Sequence, residues 1–226
     1  MLSAWLRIAL TIALATPLGW SAQRLAHRLA GESGPPAGRL VGGLAAAAMA
    51  ACAELAAPAS GPAPAGLLLG WSLLTLALVD LAALRLPDIM TWPLCAAGIV
   101  VAGFRLGGPA MAPGFDPDAL RDHLLGAAAG YAALAGLAAA YRRLRAREGL
   151  GLGDAKLAAC AGAWLGWRAL PLVVLIACGL AFAWVAVRLA TRGRSTLTEP
   201  LAFGAPLAAA LWICWLAPPD LWAVAA

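Results

Sequence analysis

Residues 66–84 read GLLLGWSLLTLALVDLAAL, an aliphatic run in which nothing charged precedes Asp80. As a helix rising 1.5 Å per residue, a run of this length reaches about 30 Å, the thickness of a bilayer's hydrocarbon core. The carboxylate near its end is out of place in a passive anchor. An ionised aspartate in a membrane helix costs roughly 2.5–3.5 kcal/mol on insertion scales, so such a residue usually faces a cavity and has work to do.

The rest of the chain repeats the apolar pattern. Its 226 residues are 63% hydrophobic and 12% charged, with a mean hydropathy of +0.84. A soluble domain carries about twice that share of charge, roughly a quarter, and could not hide so much apolar surface. The expected fold is therefore an all-α, polytopic membrane helix bundle with the lipid bilayer as its partner. About eight apolar helical segments are expected, at 3–20, 40–57, 66–84, 90–107, 121–141, 155–166, 169–190 and 203–217. The sixth is too short to cross the bilayer and reads as a half-span or a tilted helix buried among its neighbours. The first has Arg7 but no clear small-x-small cleavage site, so it reads as a retained span. Turn-forming clusters at 31–36, 58–64 and 107–118 separate the segments. Alanine and glycine crowd 44–53 and 126–140, the composition that lets membrane helices approach closely.

The formal net charge of +5 does not point to nucleic acid, because the cations lie in short loops between spans. With the N-terminus outside, twelve of the sixteen Lys and Arg fall on inner loops, among them Arg85, Arg142, Arg143, Arg145, Arg147 and Lys156. The reverse orientation would violate the positive-inside rule. Asp80 and Asp154 both then come to the inner edge. The five cysteines form no C-x-x-C pair and read as small buried hydrophobes, which argues against a zinc site or a disulfide framework. His27 and His123 read as solvated residues near helix ends.

Most acids, such as Asp116, Asp118, Glu148, Glu199 and Asp220, read as ordinary loop residues. Asp80, Asp154 and Glu54 do not, because they sit in or beside apolar segments. Asp154 stands in GLGLGDAKL (149–157), where a glycine-rich turn enters an apolar helix. Gly151 and Gly153 would let the backbone turn tightly and a substrate strand come close. The helix N-terminus favours a negative charge nearby. Lys156 either helps hold Asp154 ionised or anchors the helix at the interface. Taken singly, Asp154 could be a helix cap and Asp80 a snorkelling acid. As a pair on one side of the membrane, they form a dyad in which an ionised carboxylate activates water and a protonated one polarises a carbonyl.

Two blocks carry a family resemblance. DLAALRLPDIMTWPL (80–94) and GLGLGDAKLAACAGAWLGW (149–167), with the later FGAP (203–206), resemble the type IV prepilin peptidases. These are membrane aspartic peptidases with a G-x-G-D motif. The resemblance covers roughly 66–217 and implies a single integral membrane peptidase domain over 1–226, with divergent helices in 1–65 and a catalytic core in 66–217. It implies that Asp80 and Asp154 are the catalytic pair. Asp88, in the Leu-Pro-Asp element, corresponds to a common family position outside the pair, and by itself reads as a cap for the fourth helix. The implied substrates and partners are prepilin or pseudopilin precursors, cleaved at the cytoplasmic face of a bacterial inner membrane after a short basic leader. No metal or cofactor is implied.

Longer members of that family carry a cytoplasmic insert with paired C-x-x-C motifs, and many methylate the new N-terminus. Here the first inner loop, about 21–39, holds no cysteine, and Glu54 lies too late to match a glutamate of the longer members, so methyltransferase activity is not expected. Two other readings remain: a related G-x-G-D peptidase acting on other membrane substrates, and a transporter whose buried acids relay ions. The charge-derived topology is open to direct test. A reporter fused after Arg147 should register as cytoplasmic, and a periplasmic signal there would overturn the orientation.

Overall fold

In a computed structural model of the chain, the residues described are 63–104, 114–145, 149–193 and 200–217, with Ser21, Arg24 and Arg28. They contain six α-helices: α1 (Ala63–Ala83), α2 (Asp88–Gly103), α3 (Pro117–Arg145), α4 (Leu152–Leu165), α5 (Leu170–Arg192) and α6 (Gly204–Leu216). A single 3-10 turn, Trp167–Ala169, joins α4 to α5, and no strand occurs among the described residues. The helices match the last six expected segments to within a few residues. The first two, 3–20 and 40–57, lie outside the described residues, as does Glu54.

Local chemistry sets the helix ends. α1 closes at Leu84, whose φ of 53° is the left-handed conformation that usually ends a helix on glycine. α2 opens after Pro87, which has extended backbone and no N–H to waste. The Asp116 carboxylate accepts the N–H groups of Asp118 and Ala119 at 3.0 and 3.1 Å, so this residue caps α3 rather than merely decorating a loop. Arg142, Arg143 and Arg145 fill the last turn of α3, where cations complement the helix dipole. Gly166, at φ 79°, makes the sharp exit from α4 that a side chain would strain.

The bundle is organised around α4, the short sixth segment. Its residues from Asp154 to Trp164 are buried almost without break. It packs on α2, α3, α5 and α6, while α1 packs against α6 and α2. Lipid tails are as apolar as leucine, so this association relies on close van der Waals contact rather than on hydrophobic exclusion. Small residues make that contact possible. A Cβ added at Gly126 would come within 2.6 Å of the Gly162 carbonyl oxygen, and one at Gly130 would run into the Ala158 backbone. On the α2 side, Trp164 Nε1–H donates to the Leu94 carbonyl at 2.9 Å, and Cys160 Sγ–H to the Thr91 carbonyl at 3.1 Å. Gly98 leaves the space the Trp164 ring occupies.

Among the described residues, three stretches are long and apolar enough to cross a membrane: Ala65–Ala83, Pro117–Arg145 and Trp167–Arg192. α2 and α6, with 16 and 13 residues, are shorter. Cys95, Cys160 and Cys214 are buried and unbridged, as small hydrophobes would be, and Cys178 is half-buried. His123 differs from expectation. It lies within α3, part-buried, with Nδ1 2.9 Å from the Ala163 carbonyl oxygen, so it ties α3 to the far end of α4.

The α3–α4 contact makes a direct prediction. Gly162→Val should cost about 1–3 kcal/mol through overpacking, read as a lowered thermal midpoint of the detergent-solubilised protein. Gly179→Ala, where an added methyl meets nothing within 4 Å, should leave the midpoint unchanged.

Candidate active site

Asp80 is one turn from the end of α1, and Asp154 is in the first turn of α4. Although 125 residues of the chain separate Asp80 from Ala205, the fold places the start of α6 against the end of α1. Asp80 and Asp154 are only 4% and 8% exposed, yet both border one pocket of about 370 Å³. Leu84, Arg85, Leu86, Gly149, Gly151, Leu152, Gly153, Lys156, Leu201 and Phe203 complete its lining. It is partly open to the outside and lies where the end of α1 meets the segments leading into α4 and α6. Buried carboxyl groups bordering a cavity are the arrangement in which an acid in an apolar fold has a use.

Each carboxylate lies beside a helix start. Asp80 Oδ2 accepts the Ala205 N–H at 3.0 Å, and the bare Gly204 backbone lies against the same carboxylate. Asp154 is the third residue of α4, and the N–H of Gly151, the residue that precedes the helix, favours its ionised form. Asp154 lies outside the three membrane-length stretches. Burial above all, and then the nearby charge of Asp80, push its carboxyl up to about 7, against the lowering pull of the Gly151 N–H.

The glycines act differently from expectation. Gly151 has φ −74° and ψ 145°, ordinary extended backbone that requires no glycine, so the entry into α4 does not use its backbone freedom. Its missing side chain instead leaves room beside Asp154, whose Oδ2 would be 3.5 Å from an added Cβ. Gly153 seats Leu86, whose Cβ would be 3.0 Å from an added methyl. Asp88 does not cap its helix, because Pro87 holds the cap position and no side-chain cap bond forms. The Asp88 carboxylate pairs with Lys156 across the pocket rim instead. Lys156 is therefore engaged by Asp88, which neither sequence reading of it foresaw. The pair is partly exposed and worth at most about 1 kcal/mol. Among the described residues, no three His, Cys, Asp or Glu side chains converge as a metal site would require.

Sequence reasoning missed Leu86, which touches glycines of both motifs, and the approach of Gly204 and the Ala205 donor to Asp80. The FGAP element was visible, but nothing in its composition says that its backbone meets Asp80.

The sequence profile described as the type IV leader peptidase family matches residues 67–187, which include Asp80, Asp88, Asp154 and Lys156. The chain belongs to that family. Among relatives, the prepilin leader peptidase/N-methyltransferase of Aeromonas hydrophila is 41% identical over 152 residues, 67% of this chain and 49% of the relative. The protein of the same name from Burkholderia pseudomallei (strain K96243) is 43% identical over 150 residues, 66% of this chain and 45% of the relative. Leader peptidase HopD of Escherichia coli is 42% identical over 125 residues, 55% of this chain and 74% of the relative. The chain spans about half the length of the prepilin leader peptidase/N-methyltransferases it matches. No solved structure matches it significantly.

In this member of the leader peptidase family, the titration of Asp154 should respond to its neighbour. Asp80→Asn removes a negative charge, so Asp154 should ionise more readily and titrate below about 7. Infrared titration of the carboxyl stretch in detergent checks this, and an unmoved titration would mean that the two carboxylates are not coupled.

Proposed function

We propose that the chain is an aspartic endopeptidase that removes the leader from prepilin-like precursors at the cytoplasmic face of a bacterial inner membrane. The observation that carries this is the meeting of two buried carboxyl groups, Asp80 and Asp154, at one open pocket. Family membership and the names of the relatives support the substrate class, and the distribution of Lys and Arg supports the cytoplasmic side.

Asp80 and Asp154 are the catalytic residues in this proposal, acting with a single shared proton. The ionised carboxylate takes a proton from water as its oxygen attacks the peptide carbonyl carbon. The protonated carboxyl gives its proton to the carbonyl oxygen, leaving a neutral tetrahedral diol. In the second step the first carboxyl, now protonated, gives its proton to the amide nitrogen. The C–N bond breaks with its electron pair leaving on nitrogen, and the second carboxylate recovers a proton from a diol hydroxyl. Acid and amine are released, and the dyad returns to its starting state. Like charges in a low-dielectric site cannot both persist, which is why one proton stays with the pair.

The open side of the pocket gives an extended peptide access to the dyad, and Gly151 leaves the room beside Asp154 that such a backbone needs. Lys156 and Asp88 hold the rim together in a supporting role. Methyl transfer, which appears in the names of the longer relatives, is left out of the proposal because the 21–39 loop has no cysteine pair.

Co-expression with a prepilin-like precursor tests the assignment. Wild type should cleave it, and Asp80→Asn and Asp154→Asn should each reduce cleavage by at least about a thousandfold, as loss of an acid–base partner does. Cleavage that survives in either variant would sink the dyad.

A further inference from the structure

The two carboxylates sit in unequal surroundings. Asp80 meets the first turn of α6, where the Ala205 N–H lies 3.0 Å from Oδ2 and Gly204 lies against the same group. The Ala205 N–H is one of the donors that a helix start leaves without intrahelical partners, at the positive end of its dipole. Gly204 is what allows the approach. A Cβ there would lie 2.9 Å from Asp80 Oδ2 and 3.0 Å from Cγ, so any side chain would push the carboxylate off its donor. Asp154 has no such donor from another helix among the described residues, only the start of its own helix, and it faces the charge of Asp80. The other charged groups at the pocket do not even this out. Lys156 is engaged by Asp88, and Arg85 is exposed and forms no ion pair with either aspartate among the described residues.

Two carboxyl groups that share one proton leave it on the member whose anion is less well stabilised. We propose that the first turn of α6, through the bare Gly204 and the Ala205 N–H, is a positioning element that keeps Asp80 the ionised, water-activating member of the pair and leaves the shared proton on Asp154. The roles given neutrally above then become definite. Asp80 takes the proton from water and later passes it to the leaving nitrogen. Asp154 protonates the carbonyl oxygen and recovers its proton from the diol. This inference rests on the peptidase proposal for its chemistry, but the unequal hydrogen bonding can be tested without it.

Ala205→Pro removes the one N–H while keeping a small side chain, and proline is tolerated in the first helical turn because its N–H has no intrahelical partner there. In the full-length protein, the acid limb of the kcat–pH profile should move up by about one pH unit, the scale of losing a hydrogen bond to a charged group, with KM little changed. A purely structural role would lower yield or kcat at every pH and leave the limb in place. Gly204→Ala, a second route to the same loss should the proline variant fail to fold, should move the limb the same way and lower kcat at least about tenfold. Gly179→Ala should leave the profile unchanged.

Infrared titration of the carboxyl stretch supplies a readout that needs no cleavage. The low-pH protonation step should move up in both α6 variants, and the step near neutrality should vanish in Asp154→Asn. An unmoved low-pH step in folded Ala205→Pro or Gly204→Ala, or a near-neutral step that survives Asp154→Asn, would overturn the role assignment. Failure of the wild type to cleave any precursor would overturn the peptidase proposal alone, since the infrared steps still decide the role of α6.

Discussion

The close backbone contact between α3 and α4 is the constraint on which the rest depends. Where Gly126 faces Gly162, and Gly130 faces Ala158, the two helices lie nearer than side chains would allow. That contact draws a fourteen-residue helix into the centre of the bundle, although it is too short to span a membrane. With α4 central, its polar start has to be accommodated somewhere, and the pocket between the ends of α1, α4 and α6 is where this happens. Asp154 is buried because α4 is buried, and its raised titration follows from that burial before any specific partner is considered.

A second consequence concerns the ends of helices. α1 terminates one turn after Asp80 through the left-handed Leu84, and α6 begins at a glycine with no Cβ to hold that terminus away. The end of one helix and the starts of two others thus converge on a single cavity. Helix starts carry unpaired N–H groups, so two carboxylates can be kept in an apolar fold without a cation dedicated to either. Lys156, the cation nearest in sequence to Asp154, is instead engaged with Asp88 at the rim, where it links α4 to α2. Leu86 fills the space between, in contact with Gly153 of one motif and Gly204 of the other.

Family membership and geometry bear on different questions. The matched stretch, 67–187, includes both aspartates but stops before α6. The element that hydrogen-bonds Asp80 therefore lies outside the stretch by which the family is recognised. What distinguishes one carboxylate from the other is decided by backbone donors, which leave little trace in residue identity.

The sequence by itself determined the class of fold and the two residues around which the site is built. Apolar runs of spanning length exclude a soluble domain, and an acid at the edge of such a run is costly enough to stand out, so hydropathy singled out Asp80, Asp154 and Glu54, and the glycine motif with the family resemblance narrowed them to the first two. The shortness of the sixth segment was legible too. Its central position was not, because being short and apolar suits a half-span as well as a buried core helix, and only contact with four neighbours separates them. Tertiary structure alone decided that Asp88 pairs with Lys156 rather than capping its helix, that Gly151 provides room rather than backbone freedom, and that Ala205 donates to Asp80. Each of these depends on where a backbone or a side chain meets a partner distant in the chain. Local composition encodes the propensity of a residue and the depth at which it is comfortable, but not which distant group will stand within 3 Å of it.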